Sequence, residues 1–219
     1  MTERVLSYKR STFPLAQNIT PESLISILAA APAQKPTKPL VLALDGRCGS
    51  GKTTLADRLA RQFPASIVLH TDDFYLPPAQ RVRGWEKKPC ANMDLVRLRD
   101  EALRPAYEGQ PVLYRAYSCR AGAYQPVQEL AAQPLVILEG SYSHHPLLAG
   151  YETLQVFVTC SREEQTRRLQ AREGERYANF AARWIPLEEG YFAQDRIEET
   201  ADLAVDTTAA NACAGMMCR

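Results

Sequence analysis

The chain has 219 residues, of which 46% are hydrophobic and 23% charged, and a net charge of +1. That balance excludes a disordered or collagen-like chain, and the missing basic excess argues against a sequence-blind nucleic-acid binder. No apolar run approaches the roughly 20 residues of a membrane helix, and Met1-Thr2-Glu3-Arg4 opens no apolar leader, so the expected setting is the cytoplasm.

Residues 1–39 read as an N-terminal extension. Thr20 caps a short helix running through Ala31, with Pro21 at its first position. Pro32, Pro36 and Pro39 then mark a linker. Residues 40–44 form a continuous apolar run, the pattern of a strand buried on both faces of a parallel sheet. The pattern returns at 66–69, 135–138, 154–158 and 203–205. Helical stretches lie between, at 53–62 with Leu55, Leu59 and Phe63 on one face, and at 162–172. This alternation predicts an α/β fold: a parallel five-stranded sheet with helices on both faces. Residues 76–133 break the rhythm and read as an insertion. In it, 94–108 has the spacing of an amphipathic helix, and 111–128 reads as short extended pieces rich in tyrosine. The stretch from Trp184 to Phe192 reads as a helix covering the sheet. Six cysteines, including Cys213 and Cys218 in the tail 211–219, form no CxxC pair and are expected as free thiols.

Residues 46–53 are Gly46-Arg47-Cys48-Gly49-Ser50-Gly51-Lys52-Thr53, a GxxxxGK[ST] match that follows a buried strand and opens a helix. Glycines let the backbone curl so that successive N–H groups face phosphate oxygens. A helix N-terminus adds the positive end of a dipole. Lys52 is expected on the β- and γ-phosphates, and the Thr53 hydroxyl on Mg²⁺. Gly46, Gly49, Ser50, Gly51, Lys52, Thr53 and Thr54 are the expected nucleotide contacts. GTPases usually add an NKxD motif, which is absent, so the chain length and the insertion favour a kinase.

Ligands of open parallel sheets sit beyond the carboxyl ends of the strands. Two acids fall there: Asp72, in His70-Thr71-Asp72-Asp73-Phe74-Tyr75, and Glu139, in Leu138-Glu139-Gly140. Phosphoryl transfer to a hydroxyl is helped by a carboxylate that accepts the proton, and a second acid serves near Mg²⁺. Asp72 suits the first role and Glu139 the second, while Asp73 reads as a turn cap. Tyr75, Tyr114 and Tyr117 offer aromatic faces to an acceptor ring.

The phosphate loop, the Asp72-Asp73-Phe74-Tyr75-Leu76-Pro77 segment, Asn92-Met93-Asp94 and Glu139-Gly140 occur in the order of the uridine kinase-like family, related to phosphoribulokinase and bacterial pantothenate kinase. The resemblance covers roughly residues 40–206 of a domain placed at 40–210. It implies that Asp72 resembles the catalytic base, that Tyr75 and Asp94 resemble residues holding the acceptor, and that Tyr114 lies where an aromatic meets the substrate. Where well-known uridine–cytidine kinases have an aromatic residue before that second aspartate and His-Pro after it, this chain has Met93 and Leu95-Val96. Arg115 and Arg120 fit an acidic acceptor as the alternative.

Arg168, Arg172 and Arg176 recur every four residues and would share one helical face. In the resembled family this region, 162–182 here, is a lid whose arginines close over the triphosphate. Lys52, Asp72, Arg168 and Arg172 are therefore the expected catalytic residues, with Arg176 on the nucleotide. The expected partners are Mg²⁺ with ATP and a small-molecule acceptor, with no nucleic acid and no membrane; homo-oligomerisation is left open. The expected activity is transfer of the γ-phosphate to a hydroxyl, the 5′-hydroxyl of a nucleoside first. The alternatives are a kinase of pantothenate, a sugar acid or nicotinamide riboside, or a nucleotide-binding regulator without turnover.

Overall fold

The computed structural model describes residues 18–30 and 38–209. Pro32, Pro36, Cys213, Cys218 and the tail 211–219 lie outside them. In chain order the elements begin β1 (Asn18–Ile19), α1 (Pro21–Ala29), β2 (Leu40–Gly46), α2 (Lys52–Gln62) and β3 (Ser66–His70). After β3 come two helices, α3 (Leu95–Arg97) and α4 (Arg104–Tyr107), and four short strands: β4 (Val112–Tyr114), β5 (Tyr117–Ser118), β6 (Ala123–Tyr124) and β7 (Gln128–Leu130). The chain then runs β8 (Leu135–Glu139), β9 (Leu154–Thr159), α5 (Arg162–Glu173), α6 (Tyr177–Asp195), α7 (Ile197–Thr200) and β10 (Leu203–Asp206).

The long strands form one parallel sheet in the order β1-β10-β9-β2-β8-β3. Alternate side chains leave a strand on opposite faces, and here both faces are covered. Val41, Val136, Leu138 and Phe157 join one core with Leu98 and Leu103 of the segment between β3 and β4, and with Tyr191 and Phe192 of α6. Leu42, Leu44, Ile137, Val156 and Val158 join the other with Leu24 of α1 and Leu55 and Leu59 of α2. Two buried faces are why the strands read as unbroken apolar runs. Each fully buried aliphatic side chain contributes about 1.5–3 kcal/mol relative to exposure.

The sheet has six strands, not five. Asn18 and Ile19 pair in parallel with Ala204 and Val205, so part of the N-terminal extension is an edge strand. Two residues are too short for a periodic signal. The helix of that extension forms as the sequence implies: Thr20 Oγ1 accepts from the Ser23 N–H at 3.2 Å, Pro21 occupies the first turn, and the helix ends at Ala29. The stretch expected as one amphipathic helix is interrupted. Between α3 and α4 residues Leu98–Leu103 form a π-helix. It lies just before Pro105, which has no N–H to donate and whose ring would clash with the carbonyl four residues back, so a wider turn relieves both.

β4 pairs antiparallel with β7, and β5 with β6 inside that hairpin. An isolated bridge between Tyr75 and Met93 and a 2.7 Å bond from the Asp94 N–H to the Phe74 carbonyl tie this region to the end of β3. Among the described residues no helix is long and apolar enough to cross a membrane.

Candidate active site

A cleft of about 1090 Å³ opens at the carboxyl ends of the strands. The loop between β2 and α2 forms one side. At Gly46, φ is +135° and an added Cβ would lie 2.0 Å from the Val158 carbonyl oxygen, so no side chain fits. Gly51, with φ +89°, starts α2 without any side-chain cap. The first N–H groups of that helix are therefore open to an anion. Lys52 is buried, and its Nζ donates to the carbonyls of Gly46 at 2.6 Å and Arg47 at 3.1 Å. The loop thus curls around its own lysine. Lys52, Gly49, Gly51, Thr53 and Thr54 line the cleft, while Ser50 is buried behind it.

Glu139 ends β8 opposite Thr53, and Thr53 Oγ1 is 3.3 Å from both of its carboxylate oxygens. Gly140 lets this strand end approach β3: a Cβ there would stand 2.0 Å from Thr71 Oγ1. His70 Nδ1 lies 2.6 Å from Glu139 Oε1. That bond is the chief reason the His70 pKa is raised, against the opposing effect of burial. A hydroxyl beside a carboxylate is the hard-oxygen pair Mg²⁺ takes when phosphates supply other ligands. Among the described residues no cluster of three or more His, Cys, Asp or Glu side chains able to hold a metal ion occurs.

Asp72 lies in the short 3₁₀ turn Thr71–Phe74 after β3. Its carboxylate is open to cleft water yet enclosed by the cleft walls. This enclosure raises its pKa, the Tyr75 hydroxyl acts the other way, and the charge of Glu139 raises it further. Tyr75 donates to Asp72 Oδ1 at 2.9 Å. The neighbouring Asp73 takes a different partner, accepting from the Tyr114 hydroxyl at 2.7 Å.

The cleft brings together Lys52, Thr53, Asp72, Tyr75, Tyr117, Glu139, Arg168 and Arg172. It does not bring in Tyr114, Asp94 or Arg176. Tyr114 is buried behind Asp73 and stacked on Phe74 at 5.0 Å. Asp94 caps α3, accepting from the Arg97 N–H at 3.0 Å. Arg176 follows the break at Gly174, where α5 ends, and is 80% exposed beside Glu173. Arg168 is held by Glu164 at 2.7 Å, by Thr207 Oγ1 at 2.9 Å and by the Gly49 carbonyl at 3.3 Å. Arg115, expected as a ligand for an acid, instead donates to the carbonyls of Gln125 and Tyr124. Arg120 is exposed outside the cleft lining.

The ties that three residues of α6 make were not legible. Glu188 accepts from the Cys48 N–H at 2.8 Å and from the Ser141 hydroxyl at 2.6 Å. Glu189 pairs with Arg47 at 2.8 Å. The Tyr191 hydroxyl donates to the buried Asp45 at 2.8 Å. Asp45 also accepts from the N–H groups of Gly46 and His144, so three donors satisfy it. Spacing within one helix cannot reveal a partner more than a hundred residues away. His70 was the readable omission, since it directly precedes the Asp72 motif.

No family model matches the chain. Human nicotinamide riboside kinase 2 is 29% identical over 133 residues, which are 57% of this chain and 54% of that protein. The chain thus spans about half the length of that curated relative. A Bacillus stearothermophilus structure described as a possible uridine kinase superposes with a TM-score of 0.67 at 19% identity, covering 85% of this chain and 97% of that one. D-glycerate 3-kinase from Cryptococcus neoformans gives a TM-score of 0.54 at 17% identity, covering 85% of this chain and 92% of that one. The likeness in fold, together with the order of the motifs, fits a uridine kinase-like P-loop kinase.

Proposed function

We propose that the chain is an ATP-dependent phosphotransferase that moves the γ-phosphate to a hydroxyl of a small molecule, with the 5′-hydroxyl of a nucleoside or riboside as acceptor group. The observation that carries this reading is one cleft lined by both Lys52 and Asp72. Lys52 and the open N–H groups of α2 bind the phosphates. The acceptor oxygen bonds to the γ-phosphorus as the bond to the bridging oxygen breaks, and ADP leaves with that oxygen. The hydroxyl proton passes to Asp72, whose raised pKa makes it a stronger proton acceptor than an ordinary solvated carboxylate. Arg168 and Arg172 face the charge that develops on the transferred group. Thr53 and Glu139 would hold Mg²⁺, which would supply neutralisation of the phosphate charge. Tyr75 and Tyr117 on the cleft wall, and a relative named for nicotinamide riboside, support a riboside acceptor.

The test is ADP release from Mg-ATP with uridine, cytidine, adenosine, nicotinamide riboside, pantothenate and glycerate. Release above background with any of them supports the phosphotransferase, and a riboside that answers ahead of pantothenate and glycerate supports the riboside acceptor. Lys52→Ala is expected to abolish both turnover and thermal stabilisation by Mg-ATP. A chain that binds Mg-ATP and turns over no acceptor is a nucleotide-binding regulator, and the proposal then falls.

A further inference from the structure

The mouth of the cleft carries a cluster that, Arg172 apart, the phosphate chemistry does not use. Trp85, from the segment after β3, and Trp184, from α6, stand with ring centroids 6.2 Å apart. Phe180 lies 6.4 Å from Trp184. Guanidinium groups lie over these rings: Arg81 is 4.7 Å and Arg183 5.9 Å from the centre of Trp85, and Arg172 is 5.2 Å from that of Phe180. All six side chains line the cleft.

A guanidinium stacked on an aromatic ring has its plane fixed while its N–H edge stays free to grip an oxyanion with two parallel hydrogen bonds. Among the described residues neither Arg81 nor Arg183 has a carboxylate partner. Arg81 uses one N–H, its Nε, on the Leu76 carbonyl at 2.8 Å, which anchors it and leaves its terminal nitrogens available. Both guanidinium groups lie over the one Trp85 ring, and two unpaired cations so near each other repel unless an anion offsets their charge. They lie apart from Arg168, which Glu164 and Thr207 already hold beside the phosphate loop. Trp85 is therefore coupled to two cations that have no carboxylate partner among the described residues, a combination suited to an acidic ligand and not to a neutral one.

We propose that this cluster is an acceptor subsite for an anion, so that the molecule phosphorylated in this cleft carries a carboxylate or a phosphate ester as well as the reacting hydroxyl. The inference rests on the kinase reading above and names the class of its acceptor.

The chain's two tryptophans are Trp85 and Trp184, so its intrinsic emission reports on this cluster without any turnover. The full chain, saturated with Mg-ADP to occupy the phosphate loop, is titrated with molecules that differ by one charged group: uridine against orotidine, and glycerol against glycerate and glycerol 3-phosphate. At least one acid is expected to change the emission with a half-saturation at least tenfold below that of its neutral counterpart. Glycerate against glycerol 3-phosphate tells carboxylate from phosphate ester. Arg183→Ala, on the exposed side of α6, and Arg81→Lys, which keeps the charge but loses the planar fork, are expected to remove that preference. Their thermal stabilisation by Mg-ADP verifies that the phosphate loop is intact. Equal responses to acid and neutral molecules, no response to any of them, or an acid preference that persists in both variants overturns the subsite. ADP release with uridine but no acid preference leaves the kinase reading standing and removes this one. An acid preference without ADP release for any of these molecules leaves an anion site but removes the kinase reading, and with it the site's role in holding an acceptor.

Discussion

Asp72 and Asp73 are adjacent, chemically identical and differently employed. Asp73 is tied to Tyr114 and braces the turn. Asp72 has one oxygen on Tyr75 and lines the cleft. Because enclosure raises its pKa, the acid limb of the rate profile is expected above the usual carboxylate range: below that pKa the group is protonated and cannot accept the proton. Asp72→Asn should lower kcat by roughly 10²–10⁴-fold, and the loss should not be recovered at higher pH. Mg-ATP affinity, measured by calorimetry, should hardly change, because the loop holds the phosphates. Collapse of nucleotide binding with turnover per bound ATP preserved would make Asp72 a metal or structural acid. Burial also pushes the Cys48 thiol upward, so this cysteine of the loop is no nucleophile at neutral pH.

Helix α5 decides which arginines can act together. Its end at Gly174 separates Arg176 from the Arg168–Arg172 face, so Arg168→Ala and Arg172→Ala should lower turnover more than acceptor binding, while Arg176→Ala leaves both unchanged. Steady-state kinetics on the three variants checks this ordering, and equal losses in all three would contradict it. Helix α6 has a second task, bracing the phosphate loop from behind through Glu188, Glu189 and Tyr191. Tyr191→Phe removes one donor from a buried carboxylate and should cost about 1–3 kcal/mol in denaturant unfolding. The five long strands and the helices α2 and α5 were legible because burial on two faces leaves an unbroken apolar run and burial on one helical stripe leaves a period in the sequence. The edge strand at Asn18 and Ile19 and the π-helical turn before Pro105 were not, because one is too short to carry a period and the other depends on strain inside a helix that otherwise looks regular.

At the scale of the molecule, Glu152 stands just before β9 with Oε1 buried and without a hydrogen-bond partner. Burial pushes its pKa from 4.5 up to about 8. The folded chain therefore keeps a proton there that the unfolded chain releases. This contribution to stability is complete below pH 4.5 and is lost as pH rises towards about 8. Glu152→Gln should flatten that slope and raise Tm at pH 8 by at least ~2 °C, the shift expected for about 1 kcal/mol in a chain of this size. Unchanged pH dependence in thermal melts would show that Glu152 is hydrated in the folded state.

Local physics was enough to derive, from residues alone, an α/β sheet, a phosphate loop between its first long strand and a helix, and carboxylates at two strand ends. Each rests on neighbours in sequence: glycines that permit the turn, a lysine at a set distance, apolar runs flanked by breakers. Tertiary structure decided how those pieces are used. It turned Asp73 and Asp94 into braces and put Tyr114 behind the site. It engaged Arg115 within its hairpin and set Arg81 and Arg183 at the mouth instead. A side chain's role depends on what faces it. For these residues the partner comes from another element, and no spacing along the chain encodes that distance.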